Sequence, residues 1–163
     1  MPVDITEIAR NNRIEIKKNG TIEMLKPGEN AVSDYNFTKE CWNIIYDDTI
    51  ESTEIKRFVI AHELGHIFLG HSFVTVGFHS KTPVSIERAA NQFAVRLLCP
   101  ACVLCGLDVR TADEIVRLCG IPFEEAVKRE KRMKDLRERD KFFTDPLESM
   151  VYKRFEDFIK NYK

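Results

Sequence analysis

The sequence has no long apolar run, no excess of one charge and little of the glycine and proline that mark linkers. No window approaches the about 18 consecutive apolar residues that suggest a membrane-spanning helix. The 25 Lys and Arg residues nearly balance the 26 Asp and Glu residues, which argues against nucleic-acid binding through bulk charge. Only 7 Gly and 6 Pro occur among 163 residues, without repeats or low-complexity tracts. These absences indicate a globular protein, with 44% hydrophobic residues to build a core.

The first residues of the chain lack the basic and then apolar pattern of an export signal. The chain has five cysteines, an odd number that does not suit a closed disulfide framework. Thiols that stay reduced are typical of the cytoplasm. We therefore expect a cytoplasmic protein with no membrane partner.

Four cysteines lie close together in the sequence, and their spacing resembles part of an iron–sulfur binding run. They are Cys99, Cys102, Cys105 and Cys119. The residues between the first three are mostly apolar, and a free cysteine behaves as a small buried hydrophobe. Core packing is therefore favoured over a metal cluster, and the sequence leaves open whether these cysteines do more than pack.

The early part of the chain predicts short strands. Polar and apolar residues alternate over residues 13–17, and Asn19-Gly20 offers a hairpin turn before a second run at residues 21–25. Residues 41–46 are rich in β-prone side chains. A small N-terminal antiparallel sheet is the expected result.

Farther along the chain the hydrophobic period becomes that of helices. Apolar residues recur at three- and four-residue steps from Ile55 to Leu69, which predicts an amphipathic helix. After a loop or short edge strand at residues 72–84, Ser85 is a suitable N-cap for a second helix that ends before Pro100. Further helices are predicted over residues 111–119, 122–141 and 146–161. Strands followed by helices indicate the α+β class, with the sheet packed on a helical core.

The most informative run is His-Glu-Leu-Gly-His at residues 62–66. On a helix, His62 and His66 lie one turn apart on one face, so both imidazoles can reach one ion. Zinc suits this pair because it takes imidazole nitrogen readily and favours tetrahedral geometry. Glu63 would project beside the metal, where it can act as a general base that accepts a proton from water. The alternative, two satisfied core histidines, explains neither the glutamate nor the spacing.

A catalytic zinc site needs a third protein ligand and leaves a fourth position open. A third histidine on the longer HExxHxxGxxH pattern is excluded, because Leu69 stands where glycine is required and Ser72 where histidine is required. His71 is one place short and, on a continuing helix, would point away from the histidine pair. Glu87 on the next helix is the remaining candidate. On spacing alone, a solvated acid in the first turn of that helix is an equal alternative.

The residues that follow Glu87 favour a close pair of helices. Ala90 and Ala94 share its face, and small residues let two helices approach each other. Asn91, one turn on from Glu87, could accept a hydrogen bond from the free N–H of a ligand histidine and fix its tautomer. The sequence does not identify the group that stabilises an oxyanion, and the candidates for it are His71, His79 and Tyr152.

Two blocks of the sequence resemble the ImmA/IrrE-type zinc metallopeptidases. The first is RFVIAHELGH at residues 57–66, and the second is ERAANQFAVRLLCP at residues 87–100. The second block matches the family pattern E-x-x-A-[ND]-x-F-A-x-x-L-L-x-P throughout, and the resemblance is good over residues 40–105. It implies a gluzincin-like architecture. The residues it implies for the site are His62, His66 and Glu87 as zinc ligands and Glu63 as general base.

The resemblance also implies an activity, the hydrolysis of a peptide bond by a zinc-dependent endopeptidase. Members of the family cleave helix-turn-helix transcriptional repressors of phages, other mobile elements or stress regulons, so a cytoplasmic regulator is the implied substrate. The whole chain, residues 1–163, is expected to form one metallopeptidase domain. Its sheet and zinc-binding helices would occupy residues 1–105, and a C-terminal helical segment would occupy residues 106–163.

A non-proteolytic regulatory function is the alternative. Residues 111–123 resemble a helix-turn-helix, and the helix that follows carries many basic residues, including Arg129, diluted by acids. Such a protein would keep zinc for structure and dock to a repressor or to DNA through its C-terminal helices. A solvated helix face is the favoured interpretation of the charges, and direct binding of nucleic acid is the least favoured.

Overall fold

The computed structural model describes residues 3–71 and 83–162, and it has the α+β class that the sequence predicts. The chain divides into two compact units, Val3–Ala94 and Val95–Lys163. Whether both units serve as one metallopeptidase domain stays a prediction. Most of the predicted loop at residues 72–84 falls on residues 72–82, outside the described part of the chain.

The sheet of the first unit is mixed. It consists of β1 (Ile14–Lys18), β2 (Ala31–Asn36) and β3 (Cys41–Tyr46) in the order β1-β3-β2. Strand β3 pairs antiparallel with β2 but parallel with β1. The expectation of an antiparallel sheet is therefore correct for one pair of strands and wrong for the other.

The predicted hairpin at Asn19-Gly20 does not form. Asn19–Thr21 makes a single 3-10 turn, and the side-chain oxygen of Asn19 accepts a hydrogen bond of 2.8 Å from the backbone N–H of Met24. Local bonds from a side chain to the backbone compete with the pairing of strands. The predicted strand at residues 21–25 is consequently absent, and β2 takes its place later in the chain.

The central strand β3 carries the core of the first unit. Ile44 and Ile45 point to opposite faces of the sheet, and they are 0% and 2% exposed. Helix α1 (Ile5–Asn11) packs against β1, and the side chain of Asp4 caps its N-terminus. Both faces of the sheet are thus covered at β3.

Helix α2 (Thr53–Phe68) positions the candidate site. The Ser52 hydroxyl accepts a hydrogen bond of 3.1 Å from the backbone N–H of Ile55 and caps the helix. The helix contacts α1, β2 and β3, and Leu64 in its middle is 0% exposed. The predicted apolar stripe is only partly right, because Ile55 and Leu69 at its ends are exposed while other sides of the helix are buried.

Helix α3 runs over Val84–Leu98, so it starts one residue before the predicted N-cap and ends before Pro100 as predicted. The described helices that follow it are α4 (Ala101–Gly106), α5 (Ala112–Cys119), α6 (Phe123–Glu138), α7 (Pro146–Arg154) and α8 (Glu156–Tyr162). Helix α4 has no counterpart among the predicted elements. The single helix predicted over residues 146–161 is two helices, because Phe155 leaves helical dihedral angles (φ −103°, ψ 7°).

The two helices and the glycine turn predicted around residues 111–123 are present in the second unit. Thr111 and Glu114 form a capping box at the start of α5, and Gly120 ends that helix with a φ of 60°. One basic residue of α6 contradicts the expected solvated face. Arg129 is 6% exposed, and its Nε donates a hydrogen bond of 3.0 Å to the carbonyl oxygen of Cys99.

The cysteines of the second unit pack in its core. None of the five cysteines, which all lie in the described part of the chain, forms a disulfide, and Cys102 lies in a buried cluster with Val103 and Ile159. Burial raises the pKa of the Cys102 thiol. In the described part of the chain, the cysteines form no group with the spacing of metal ligands. The structure therefore supports packing over a metal cluster.

Across residues 3–71 and 83–162, no helix combines the length and the apolar character that crossing a membrane requires.

Candidate metal centre

The two histidines of the His-Glu-Leu-Gly-His run meet on one face of α2. Their spacing of four residues stacks them one turn apart, and His62 Nε2 lies 2.9 Å from His66 Nε2. Both side chains are largely buried, with exposed fractions of 16% for His62 and 11% for His66. The two nitrogens thus face the same point from adjacent helical turns.

Helix α3 brings a carboxylate to that point. Glu87 Oε2 lies 3.2 Å from His62 Nε2, and Glu87 Oε1 lies 3.6 Å from His66 Nε2. The side chain of Glu87 is 43% exposed, so one side of the group is open to solvent. The structure therefore places Glu87 with the histidine pair, and it does not show the distant solvated acid that spacing alone allows.

Gly65 explains how α2 and α3 approach each other closely. A Cβ atom added at Gly65 would lie 3.1 Å from the carbonyl oxygen of Ala90 and 3.2 Å from the Cβ of Phe93. Ala90 itself is 0% exposed. The small residues on both helices therefore bring the histidine pair within reach of Glu87.

We expect Gly65→Val to lower the free energy of unfolding by about 1–3 kcal/mol, because overpacking at a tight contact costs about that much. Chemical denaturation of the metal-free protein measures this change. Gly65→Ala should cost less, since alanine gains about 1 kcal/mol in helix propensity over glycine. Full stability of Gly65→Val would show that the contact between α2 and α3 is looser than described.

Asn91 sits behind the histidine pair. Its Oδ1 lies 2.9 Å from His62 Nδ1. An amide oxygen can only accept, so Nδ1 of His62 carries the proton in this arrangement and Nε2 keeps its lone pair. That is the tautomer in which Nε2 can bind a metal.

Glu63 lies beside the centre and is 7% exposed. A carboxylate oxygen of Glu63 lies within 4.8 Å of the ligand atoms of both histidines. Burial raises the pKa of the Glu63 carboxyl, and this effect is opposed by His62 and by hydrogen bonds from the side chain and backbone of Ser33. Glu63 is thus a buried acid held between the histidine pair and strand β2.

His66 is held in the form that binds metals. Burial lowers the pKa of its imidazole to about 4, and the neighbouring His62 acts in the same direction. An imidazole with this pKa is neutral near pH 7 and keeps a lone pair for a metal ion.

The three candidates for an oxyanion-stabilising group lie in different parts of the chain. His71 does not point away from the histidine pair, because the chain turns at Gly70 (φ 72°) and brings its ring to 5.3 Å from the ring of His66. Tyr152 packs against Gly106 and Phe143 in the second unit. His79 lies outside the described residues.

Sequence reasoning missed one residue of the site, Ser33. It lies 30 positions before Glu63, in a part of the strand-rich region to which no individual strand is assigned. Its register in β2 is fixed by pairing with β3 and not by any local pattern. Only the folded chain brings it to the carboxylate.

Two histidines and a carboxylate that meet at one point, with a second glutamate beside them, define a metallopeptidase-type domain. The chain matches the peptidase family described as the IrrE N-terminal-like domain over residues 19–131, which is more than half of its length. The chain belongs to this family. The match extends on both sides beyond the two blocks on which the resemblance rests. No curated protein is significantly similar to the chain.

Proposed function

We propose that the chain is a zinc-dependent endopeptidase that hydrolyses a peptide bond in a protein substrate. The observation that carries this proposal is the meeting of His62, His66 and Glu87 at one point, with Glu63 beside it, in a member of a peptidase family. Hydrolysis needs no oxidant or reductant, because water adds to the carbonyl carbon and the C–N bond breaks.

The donor atoms suit zinc. Ligands that bind tetrahedral zinc at about 2.0–2.1 Å lie about 3.3 Å from one another. The three distances among the Nε2 atoms of the histidines and the oxygens of Glu87 are 2.9, 3.2 and 3.6 Å. Two imidazole nitrogens and a carboxylate are also a donor set that zinc prefers. We propose His62, His66 and Glu87 as the zinc ligands.

A bound zinc ion would supply Lewis acidity, which polarises a carbonyl group and makes a water molecule easier to deprotonate. The role that we propose for Glu63 is that of general base. Its carboxylate accepts a proton from the attacking water and then passes that proton to the nitrogen of the leaving amine. Burial also raises the pKa of the Glu63 carboxyl, which is the direction in which burial shifts glutamates that act as general acids and bases.

Asn91 would support the zinc ligands without binding the metal. By accepting from the Nδ1–H of His62, it fixes the orientation of the ring and directs Nε2 to the ion. Three protein ligands would then hold the ion, as in other catalytic zinc sites.

We propose a helix-turn-helix transcriptional repressor of a mobile element or stress regulon as the substrate and the cytoplasm as the compartment. The support for the substrate is the family to which the chain belongs. The five cysteines, none of which forms a disulfide among the described residues, support a reducing compartment.

To test this proposal, the zinc-loaded protein is mixed with the helix-turn-helix regulator that is encoded nearest to its own gene. Intact-mass spectrometry should show two fragments whose masses sum to that of the regulator plus one water. A chelator should stop the cleavage and added zinc should restore it. A regulator that stays intact yet releases its DNA would favour the non-proteolytic alternative, and one that is unaffected in both respects would contradict this choice of substrate.

A further inference from the structure

The hydroxyl and the backbone N–H of Ser33 both reach one buried carboxylate. Glu63 accepts a hydrogen bond from each of these two donors, and Ser33 lies in the middle of β2. Glu63 is on α2, so the two bonds connect the sheet to the helix that carries the histidine pair. Two donors on one strand limit the orientations that the carboxylate of Glu63 can take.

The register of the sheet explains why the backbone N–H of Ser33 is available. Asn30, the residue just before β2, is opposite Asp47. The N–H of Asp47 donates to the carbonyl oxygen of Asn30 at 2.8 Å, so these two residues are a hydrogen-bonded pair of the ladder. Hydrogen-bonded and non-hydrogen-bonded pairs alternate in an antiparallel ladder. Ser33 is opposite Ile44, three positions from that pair, so its N–H points away from β3.

The direction of that N–H is functionally relevant. In the described part of the chain, β2 lies at an edge of the sheet order β1-β3-β2. The backbone of Ser33 therefore presents its donor beyond the edge, where Glu63 receives it. A strand anchored by pairing along its other side is a rigid support for a side chain that must keep one orientation.

We propose that Ser33 is a positioning residue that holds the carboxylate of Glu63 in the orientation needed for proton transfer at the candidate metal centre. This proposal rests on the proposed function. Ser33 does not contact the metal or the substrate in this role. It acts by directing one oxygen of Glu63 towards the point that the histidine pair faces.

The first test needs no catalysis. In the metal-free protein, hydrogen exchange of the Ser33 amide should be slow, and Glu63→Ala should accelerate it at least about tenfold through loss of the acceptor. The amide of Asp34 is a matched control, because the alternation of the ladder directs it towards β3. An unchanged exchange rate at Ser33 would overturn the proposal, whether or not the chain hydrolyses peptides.

The second test uses the zinc-loaded protein and a cleavable substrate. Ser33→Ala should lower kcat about ten- to a hundredfold, the usual effect of losing a group that orients a metal site. KM and the zinc content should stay as in the wild type, and Ser33→Thr should restore most of kcat because it restores the hydroxyl. Ser149→Ala, an exposed serine of α7, is the control and should change nothing.

A purely structural role for Ser33 predicts different results. It would lower the thermal stability of Ser33→Ala and reduce activity only as far as the folded fraction falls. A wild-type kcat for Ser33→Ala, or no rescue by threonine, would overturn the positioning role. If no substrate is cleaved by the wild type, the proposed function fails, and the amide exchange still decides whether Ser33 holds Glu63.

Discussion

Glu63→Gln should remove most of the hydrolytic activity while leaving the metal in place. Glutamine has the shape of glutamate but cannot accept and return a proton, and general acid–base catalysis contributes about 10²–10⁴-fold to a rate. We therefore expect kcat to fall by about that factor. Because Glu63 lies beside the proposed ligands and not among them, one zinc ion per chain should remain.

Initial rates of repressor cleavage and the zinc content of the purified variant give the two measurements. Glu51→Gln is the matched control, since Glu51 is exposed and precedes α2 in the same unit. Wild-type cleavage by Glu63→Gln would refute the general-base role. Loss of zinc from this variant would instead make Glu63 a ligand, and the proposed assignment of roles would be wrong.

Glu87→Ala and His62→Ala should each lose the metal and, with it, all activity. Even a residue that only orients a ligand typically affects metal affinity 10–100-fold, so loss of a ligand should exceed about 100-fold. Zinc titration by calorimetry or with a competing chelator measures the affinity. Added zinc should raise the melting temperature of the wild type but not of these variants, because a ligand stabilises only the state that binds it.

Two neighbouring substitutions on α3, at Asn91 and at Gln92, distinguish an effect on the metal site from a general effect on the helix. Asn91→Ala should weaken zinc binding about 10–100-fold, since His62 loses the acceptor that fixes its ring. Gln92→Ala changes the next residue of the same helix, which is exposed, and should bind zinc as the wild type does. Equal affinities for Glu87→Ala and Gln92→Ala would exclude Glu87 as a ligand.

The sequence predicts the elements that depend on residues close together in the chain. The spacing of His62 and His66 and the ends of helices at Gly120 and Pro100 all depend on residues within one or two helical turns. Residues 62–66 also predict the chemistry of the site, because a helix with this run must place both imidazoles on one face.

Strand pairing was harder to predict because it depends on distant parts of the chain. The alternation at residues 13–17 indicates a strand but not its partner, and β1 pairs in parallel with β3, which comes more than 20 residues later. Strand β2 has no strong alternation of its own. For the same reason Ser33 could not be assigned to the site before its register was known.

The partners of buried polar residues were also unpredictable. Arg129 lies among many basic residues in the sequence, yet it is buried and donates to the carbonyl oxygen of Cys99. His71 would point away on a continuing helix, but the left-handed turn at Gly70 returns its ring to His66. Both outcomes depend on where a helix ends and what packs beside it.

An anomalous difference map from crystals of the zinc-loaded protein, measured at the zinc absorption edge, tests the central claim most directly. The account predicts one peak at about 2.0–2.2 Å from the Nε2 atoms of His62 and His66 and from a carboxylate oxygen of Glu87. A peak bound by Glu63 in place of Glu87, or no peak at the histidine pair, would contradict it.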